Sequence, residues 1–250
     1  MFSLTGLTDI RIVLLGNSLS GKSSAGNTIL TGSGFKVNQR SVQCEVRQGE
    51  VAGRQVTVVD PPGWYYNSPL QDTSEMDKLE IQNSVSLCPP GPHAVLLTVP
   101  LHTAFTKAMR VAVEEHMTLL SPRVWSHTMI LFTHGEWLGD RSIEQHIEAE
   151  GEDLCWLVDK CDNRYHVFNN QKKDVTQVTQ LLEKIEQMVS GNTGGHYEDD
   201  GDEKTSERKR NIEERVRTFM TKTHRQRSAL KALFEGDVYK TYCVCMYVCM

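Results

Sequence analysis

Ile10-Arg11-Ile12-Val13-Leu14-Leu15-Gly16-Asn17-Ser18-Leu19-Ser20-Gly21-Lys22-Ser23 is the stretch on which the fold turns. Its first six residues make an apolar run of strand length, closed by Gly16. The next eight fit G-x-x-x-x-G-K-[ST] at every fixed position, and residues 23–31 behind them are long enough for a helix. Strand, glycine-rich turn and helix in that order let the backbone bend at Gly16 and Gly21, so that its N–H groups converge on one point. The positive end of the helix dipole falls on the same point. Such a cradle suits phosphate oxygens, with Lys22 reaching the β- and γ-phosphates and the Ser23 hydroxyl ligating Mg²⁺. Gly16, Asn17, Ser18, Leu19, Ser20, Gly21, Lys22, Ser23 and Ser24 are therefore expected to line a nucleotide's phosphates.

Working outward, apolar runs recur at 55–59, 93–99, 127–132 and 164–168, and segments of helical length fill 107–120, 142–158 and 175–189. Strands alternating with helices predict a mostly parallel sheet covered on both faces. A further strand near 44–51 is joined to the 55–59 run by Ala52-Gly53-Arg54, which predicts a hairpin. Asp60-Pro61-Pro62-Gly63 ends that second run and fits D-x-x-G. Asp60 is placed to hold Mg²⁺ through water, and Gly63 to offer an unhindered N–H to a γ-phosphate. Thr133-His134-Gly135-Glu136 follows the 127–132 run, where guanine-specific proteins carry N/T-K-x-D. A carboxylate there can accept from both N1–H and the exocyclic amine of guanine, which adenine cannot supply. Glu136 has that charge with one extra methylene, and the His134 ring stands where the lysine stem would lie against the base. Asn169 and Asn170, after the last run, occupy the position of a further base-contacting loop. In the loop between residues 36 and 50, the Ser41 hydroxyl is the candidate to complete the Mg²⁺ shell; an ordinary solvated serine is the other reading.

Composition sets the bounds. The chain has 250 residues, 39% of them hydrophobic, with 27 Lys+Arg against 32 Asp+Glu and a net charge of −5. It can bury one core of roughly 150–200 residues with an appendage, and its charge offers no basic field for nucleic acid. Of seven cysteines, an odd number without paired metal-type spacing, Cys44, Cys88, Cys155 and Cys161 are dispersed, which reads as a reducing, cytosolic setting rather than a disulfide scaffold. Five segments are expected: an amino-terminal tail at 1–8, a nucleotide-binding domain at 9–190, a Gly-rich and acidic linker at 191–203, a charged amphipathic helical extension at 204–235, and a Cys-rich apolar tail at 236–250. The extension, broken near 223–227 on this reading, suits a loosely packed surface helix, a partner or self-association helix, or a membrane-surface helix. The tail, Tyr242-Cys243-Val244-Cys245-Met246-Tyr247-Val248-Cys249-Met250, is too short to span a bilayer. Loose packing, palmitate acceptance and metal binding are its alternatives.

These blocks resemble the AIG1-type GTPases of the GTPase of immunity-associated protein (GIMAP) family. The likeness is carried by Arg11 to Gly16, by Gly21-Lys22-Ser23-Ser24-Ala25-Gly26-Asn27-Thr28-Ile29-Leu30, by Val58-Val59-Asp60-Pro61-Pro62-Gly63-Trp64, by Pro90-Gly91-Pro92-His93-Ala94, and by Asn163 to Asn170. It implies an α/β phosphate-loop G domain that binds GTP and GDP with Mg²⁺ and associates through its G domain in a GTP-dependent way. It also implies a cytosolic or membrane-tethered location. Three departures matter. Pro61 stands where the family has threonine. Ala104, in His102-Thr103-Ala104-Phe105-Thr106, stands where some members carry an arginine that acts across a dimer. Trp64 stands where many small GTPases carry the glutamine that positions water. Slow GTP hydrolysis is the expectation, and a non-hydrolysing, GTP-loaded assembly scaffold the alternative. An ATP-using phosphate-loop enzyme would need a catalytic acid and an Arg-bearing lid, neither of which is evident.

Overall fold

The computed structural model describes residues 6–169, 174–192, 194–199 and 203–235, with side chains of the final helix described to residue 226. Strand β1 (Asp9–Leu15) is central. It is followed by α1 (Lys22–Ile29), β2 (Glu45–Val51), β3 (Arg54–Asp60), α2 (Glu75–Ser84), β4 (Ala94–Pro100) and α3 (Lys107–Met117). Then come β5 (Thr128–Thr133), α4 (Ile143–Glu150), α5 (Glu152–Lys160), β6 (Tyr165–Val167), α6 (Val175–Gly191) and α7 (Glu203–Glu235). The sheet order is β2-β3-β1-β4-β5-β6. Only β2 runs antiparallel, to β3, through a two-residue turn in which Ala52 (φ 50°) and Gly53 (φ 74°) both have positive φ, the twist a tight hairpin needs.

Why the strands read as continuous apolar runs is visible in the layers. Val13 and Leu15 of β1, with Val95 and Leu97 of β4, face a core closed by α2, α3, α5 and the start of α7. Ile10, Ile12 and Leu14, with Leu96, face a second core closed by α1 and α6. Successive side chains point to opposite faces, so a sheet buried on both sides is apolar at every position.

Four expectations change. The helix expected over 142–158 is two helices meeting at Gly151, whose φ of 90° no right-handed helix accommodates. Helix α2 was not anticipated: it buries Asp77, Lys78, Gln82 and Ser84 beside Ile81, so it shows no apolar stripe. Helix α7 runs unbroken through residues 223–227, which contain neither glycine nor proline. The stretch expected as a simple linker is fastened down. Tyr197 is 1% exposed, its hydroxyl accepts from Ser121 N at 3.0 Å, and its N–H donates to Pro92 O at 2.8 Å. Its backbone carbonyl lies so close to Gly91 that a side chain there has no room.

Behind this strap, α7 lies along α2, burying Ile212 and packing Val216 on the core, with Arg215 Nη1 at 3.3 Å from Glu75 Oε1. Phe219 and Met220, further along, are exposed. No helix of the described residues is long and apolar enough to cross a membrane. Residues 1–5 and the Cys-rich tail at 236–250 lie outside the described residues.

Candidate functional site

Chain connections leave β1 toward β3 on one side and reach β4 on the other, so the strand order reverses at the carboxyl end of β1, where open α/β sheets form their crevice. The loop 16–21 lies there. Gly16 (φ 147°) packs against Ser20 Oγ, 2.9 Å from where a Cβ would sit. Ser20 Oγ lies 2.5 Å from Thr98 Oγ1 on β4, and Thr133 Oγ1 on β5 donates to Ser20 O at 2.8 Å. Two neighbouring strands thus pin the loop. Thr98 was invisible to motif reasoning, being an ordinary residue in an apolar run. Leu19 takes φ 66° without being glycine and is 76% exposed, at a cost of roughly 1 kcal/mol.

Beneath the loop the charged groups converge. Lys22 is buried and its Nζ donates to Asn17 O at 3.3 Å. Burial pulls its pKa below the usual lysine value, and Asp60 opposes the shift. Ser23 Oγ donates to Asp60 Oδ2 at 2.5 Å. Asp60 is buried, which pushes its carboxyl pKa up against the pull of Lys22 and Ser23. Its other oxygen, Oδ1, is buried with no hydrogen-bond partner among the described residues. A buried orphan carboxylate oxygen beside a serine hydroxyl is an oxygen donor set that suits a hard divalent cation. Ser41 lines the same cleft with Ser18, Leu19, Lys22, Ser24, Arg40 and Gly63.

The segment after Asp60 lies across the loop. Ser18 N donates to Trp64 O at 2.6 Å and Ser18 Oγ donates to Gly63 O at 2.9 Å. A Cβ on Gly63 would fall 2.5 Å from Lys22 Nζ and 2.7 Å from Ser18 N, so close approach itself demands glycine. Trp64 does not face the cleft. It is 3% exposed and stacks on His116 of α3, with ring centroids 4.5 Å apart and planes at 17°.

His116 Nε2 meets Thr73 Oγ1 at 2.7 Å and Nδ1 meets Ala112 O at 2.6 Å. A neutral ring with Nδ1–H satisfies both, the hydroxyl donating to Nε2. Burial pushes the His116 pKa down to about 4 from 6.5. Between those values the unfolded chain binds a proton that the folded chain refuses, so stability falls as pH drops from 6.5 toward 4. His116→Gln is expected to flatten that part of a pH series of urea midpoints. An unchanged slope would place the titration on other groups.

On the base side, Gly135 N donates to Phe168 O at 2.9 Å, which brings Thr133, His134 and Glu136 beside Asn169. Gln177 of α6 clamps Asn169 from both ends, accepting from its N–H at 3.0 Å and donating to its O at 3.3 Å. Asn170 lies outside the described residues. His134 (φ 60°) has Nδ1 3.5 Å from Glu136 Oε1. Its ring packs edge-on against His102 at 4.4 Å, and Trp137 lies 6.1 Å from His102. His102 and Gln177 carried no motif; His102 matters through a contact 32 residues away, at His134, and Gln177 through Asn169, eight residues back across the start of α6.

A model of the AIG1 family matches residues 10–216, a span that takes in the phosphate loop, the D-x-x-G turn and both base-side loops. The chain belongs to the AIG1 family. This AIG1 chain is 30% identical over 199 residues to human GTPase IMAP family member 8, covering 76% of this chain and 29% of that protein. Over 210 residues it is 30% identical to Immune-associated nucleotide-binding protein 9 of Arabidopsis thaliana, covering 76% and 58%. It therefore spans only part of these relatives. Among solved structures it is similar to Arabidopsis thaliana Toc33 in complex with GDP and Mg²⁺ (TM-score 0.60, 13% identity, 74% of this chain and 86% of that one). The Toc33 crystal structure with Mg²⁺ and GMPPNP gives a TM-score of 0.59 at 13% identity, over 74% and 86%. At such identity the likeness is one of fold: the AIG1 chain has a G-domain fold.

Proposed function

We propose that this chain is a guanine-nucleotide switch that binds GTP and GDP with Mg²⁺, hydrolyses GTP slowly and associates through its G domain when GTP is bound. The observation that carries the reading is the convergence of Lys22, Ser23 and Asp60 under the phosphate loop, with one Asp60 oxygen left unpartnered. In this reading Ser23 and Asp60 would hold Mg²⁺, with Ser41 the further candidate, and the ion supplies charge neutralisation to the phosphates. Family membership and the names of the relatives, a GTPase and a nucleotide-binding protein, support it. The solved structure of the chloroplast translocon components Toc33 and Toc159, in which dimerisation is important for GTPase activity, supports the association. The domain is assigned to residues 9–190, in a cytosolic setting, with membrane attachment through the tail as the alternative; no nucleic-acid role is assigned.

The base reading has a direct test. Glu136→Ala is expected to erase the preference for GTP over xanthosine and adenosine triphosphates, on the order of the 10-fold or greater discrimination that one paired carboxylate provides. Competition titration measures it, and a surviving preference would move base reading elsewhere. A second reading, a GTP-loaded scaffold without turnover, is favoured by Trp64 being buried away from the cleft and by Ala104 lacking a guanidinium. Tight GTP binding with no hydrolysis at any protein concentration would select it.

A further inference from the structure

We propose that Arg40 is the arginine that stabilises the transferring phosphoryl group, supplied by the same chain rather than by a partner. The inference rests on the nucleotide reading above. Arg40 sits on the loop between α1 and β2, next to Ser41, and lines the cleft with Lys22, Ser23 and Gly63. Lys22 and Arg40 are the only cationic side chains among the described residues of that lining.

The guanidinium is parked rather than buried. It is ion-paired with Asp77 at the start of α2, and its carbon lies 4.9 Å from the centroid of Tyr65, two residues past Gly63. The Arg40 side chain is about one-third exposed, at 35%, while its partner Asp77 is buried. Asp77 has a second donor, because the Ser74 hydroxyl donates to the same carboxylate oxygen at 2.7 Å. When the guanidinium swings into the cleft, the buried Asp77 carboxylate keeps the Ser74 hydroxyl as its donor. Other arginines near this edge are engaged elsewhere: Arg47 with Glu45 and Gly34 O, and Arg54 with Glu186.

In the reaction a water oxygen bonds to the γ-phosphorus as the bond from that phosphorus to the β–γ bridging oxygen breaks. The electron pair stays on the β-phosphate of GDP, and the water's protons pass to inorganic phosphate and solvent. Negative charge grows on the bridging oxygen, and a planar guanidinium delivered there neutralises it, as an arginine acting in cis does in other nucleotide hydrolases.

The test is single-turnover GTP hydrolysis by the full chain, with GDP and GTP affinities measured alongside and a thermal melt to check folding. Wild type is expected to show a rate per molecule that does not depend on protein concentration. Arg40→Ala should slow it by about 10³-fold or more, and Arg40→Lys should rescue little of the loss, while GDP affinity stays within about threefold because the contact belongs to the transition state. GDP with aluminium fluoride, a mimic of the planar phosphoryl group, gives a second readout: captured by wild type, not by Arg40→Ala. Equal rates, or a wild-type chain that binds GDP yet captures no fluoride, would overturn the assignment alone. A wild-type chain that takes up no GTP would overturn the nucleotide reading itself.

Discussion

Lys22→Ala is expected to abolish measurable GTP and GDP binding while leaving the chain folded. Lys22 is held nearly out of water, its positive charge kept company by Asp60 and by the carbonyl of Asn17. A triphosphate supplies several negative charges to that one buried cation. Truncating one partner of a buried charge pair costs 2–5 kcal/mol or more, on the order of 10²–10³-fold in affinity at about 1.4 kcal/mol per decade. Folding should survive, because Lys22 donates a single hydrogen bond among the described residues, to Asn17 O, Asp60 keeps the Ser23 hydroxyl, and the loop is held by Ser20, Thr98 and Thr133. Isothermal titration with a far-ultraviolet spectrum of the variant checks both halves, and unchanged affinity in a folded variant would remove Lys22 from the site.

Trp64→Ala has the largest effect expected on stability. The indole stacks on His116 and packs in the core with α2 and α3, and removing so large a buried side chain costs about 3–5 kcal/mol. That is a large share of a domain's usual margin. Urea denaturation reads it as a lower midpoint at unchanged slope. Trp64→Phe, which keeps an aromatic face for His116, should lose much less. A Trp64→Ala loss under about 1 kcal/mol would mean that the ring fills no real space. The same variant also loosens the carbonyl that holds Ser18 N, so nucleotide affinity should shift with stability rather than stay constant.

The phosphate loop was legible because its function is written in contiguous residues: strand, glycines, Lys22 and Ser23 follow one another, and the sheet's two buried faces turn each strand into an apolar run. Asp60 and Gly63 were legible for the same reason. Trp64 shows the limit. Its place in the chain is that of the water-positioning glutamine of many small GTPases, but a large flat side chain gains more by burial against His116. Helix α2 was hidden because polar residues can be buried when they find partners 30 or more residues away, as Gln82 Nε2 does in Leu119 O. Tyr197 was read as part of a linker because its glycine-rich and acidic neighbours set the composition, whereas its role is set by Ser121 and Pro92. Arg40 carried no motif at all; only the folded loop places it beside the cleft.

Helix α7 has a consequence for how the protein behaves in a column. A 33-residue helix is about 50 Å long. Among the side chains described, which end at residue 226, the last packed on the core is Val216, so residues 217–226 carry the helix about 15 Å beyond it. A compact body with such an outrigger drags more water than a sphere of equal mass. A single chain should therefore elute ahead of globular standards and imitate a dimer, so association on GTP loading has to be weighed by light scattering or sedimentation equilibrium rather than by retention volume.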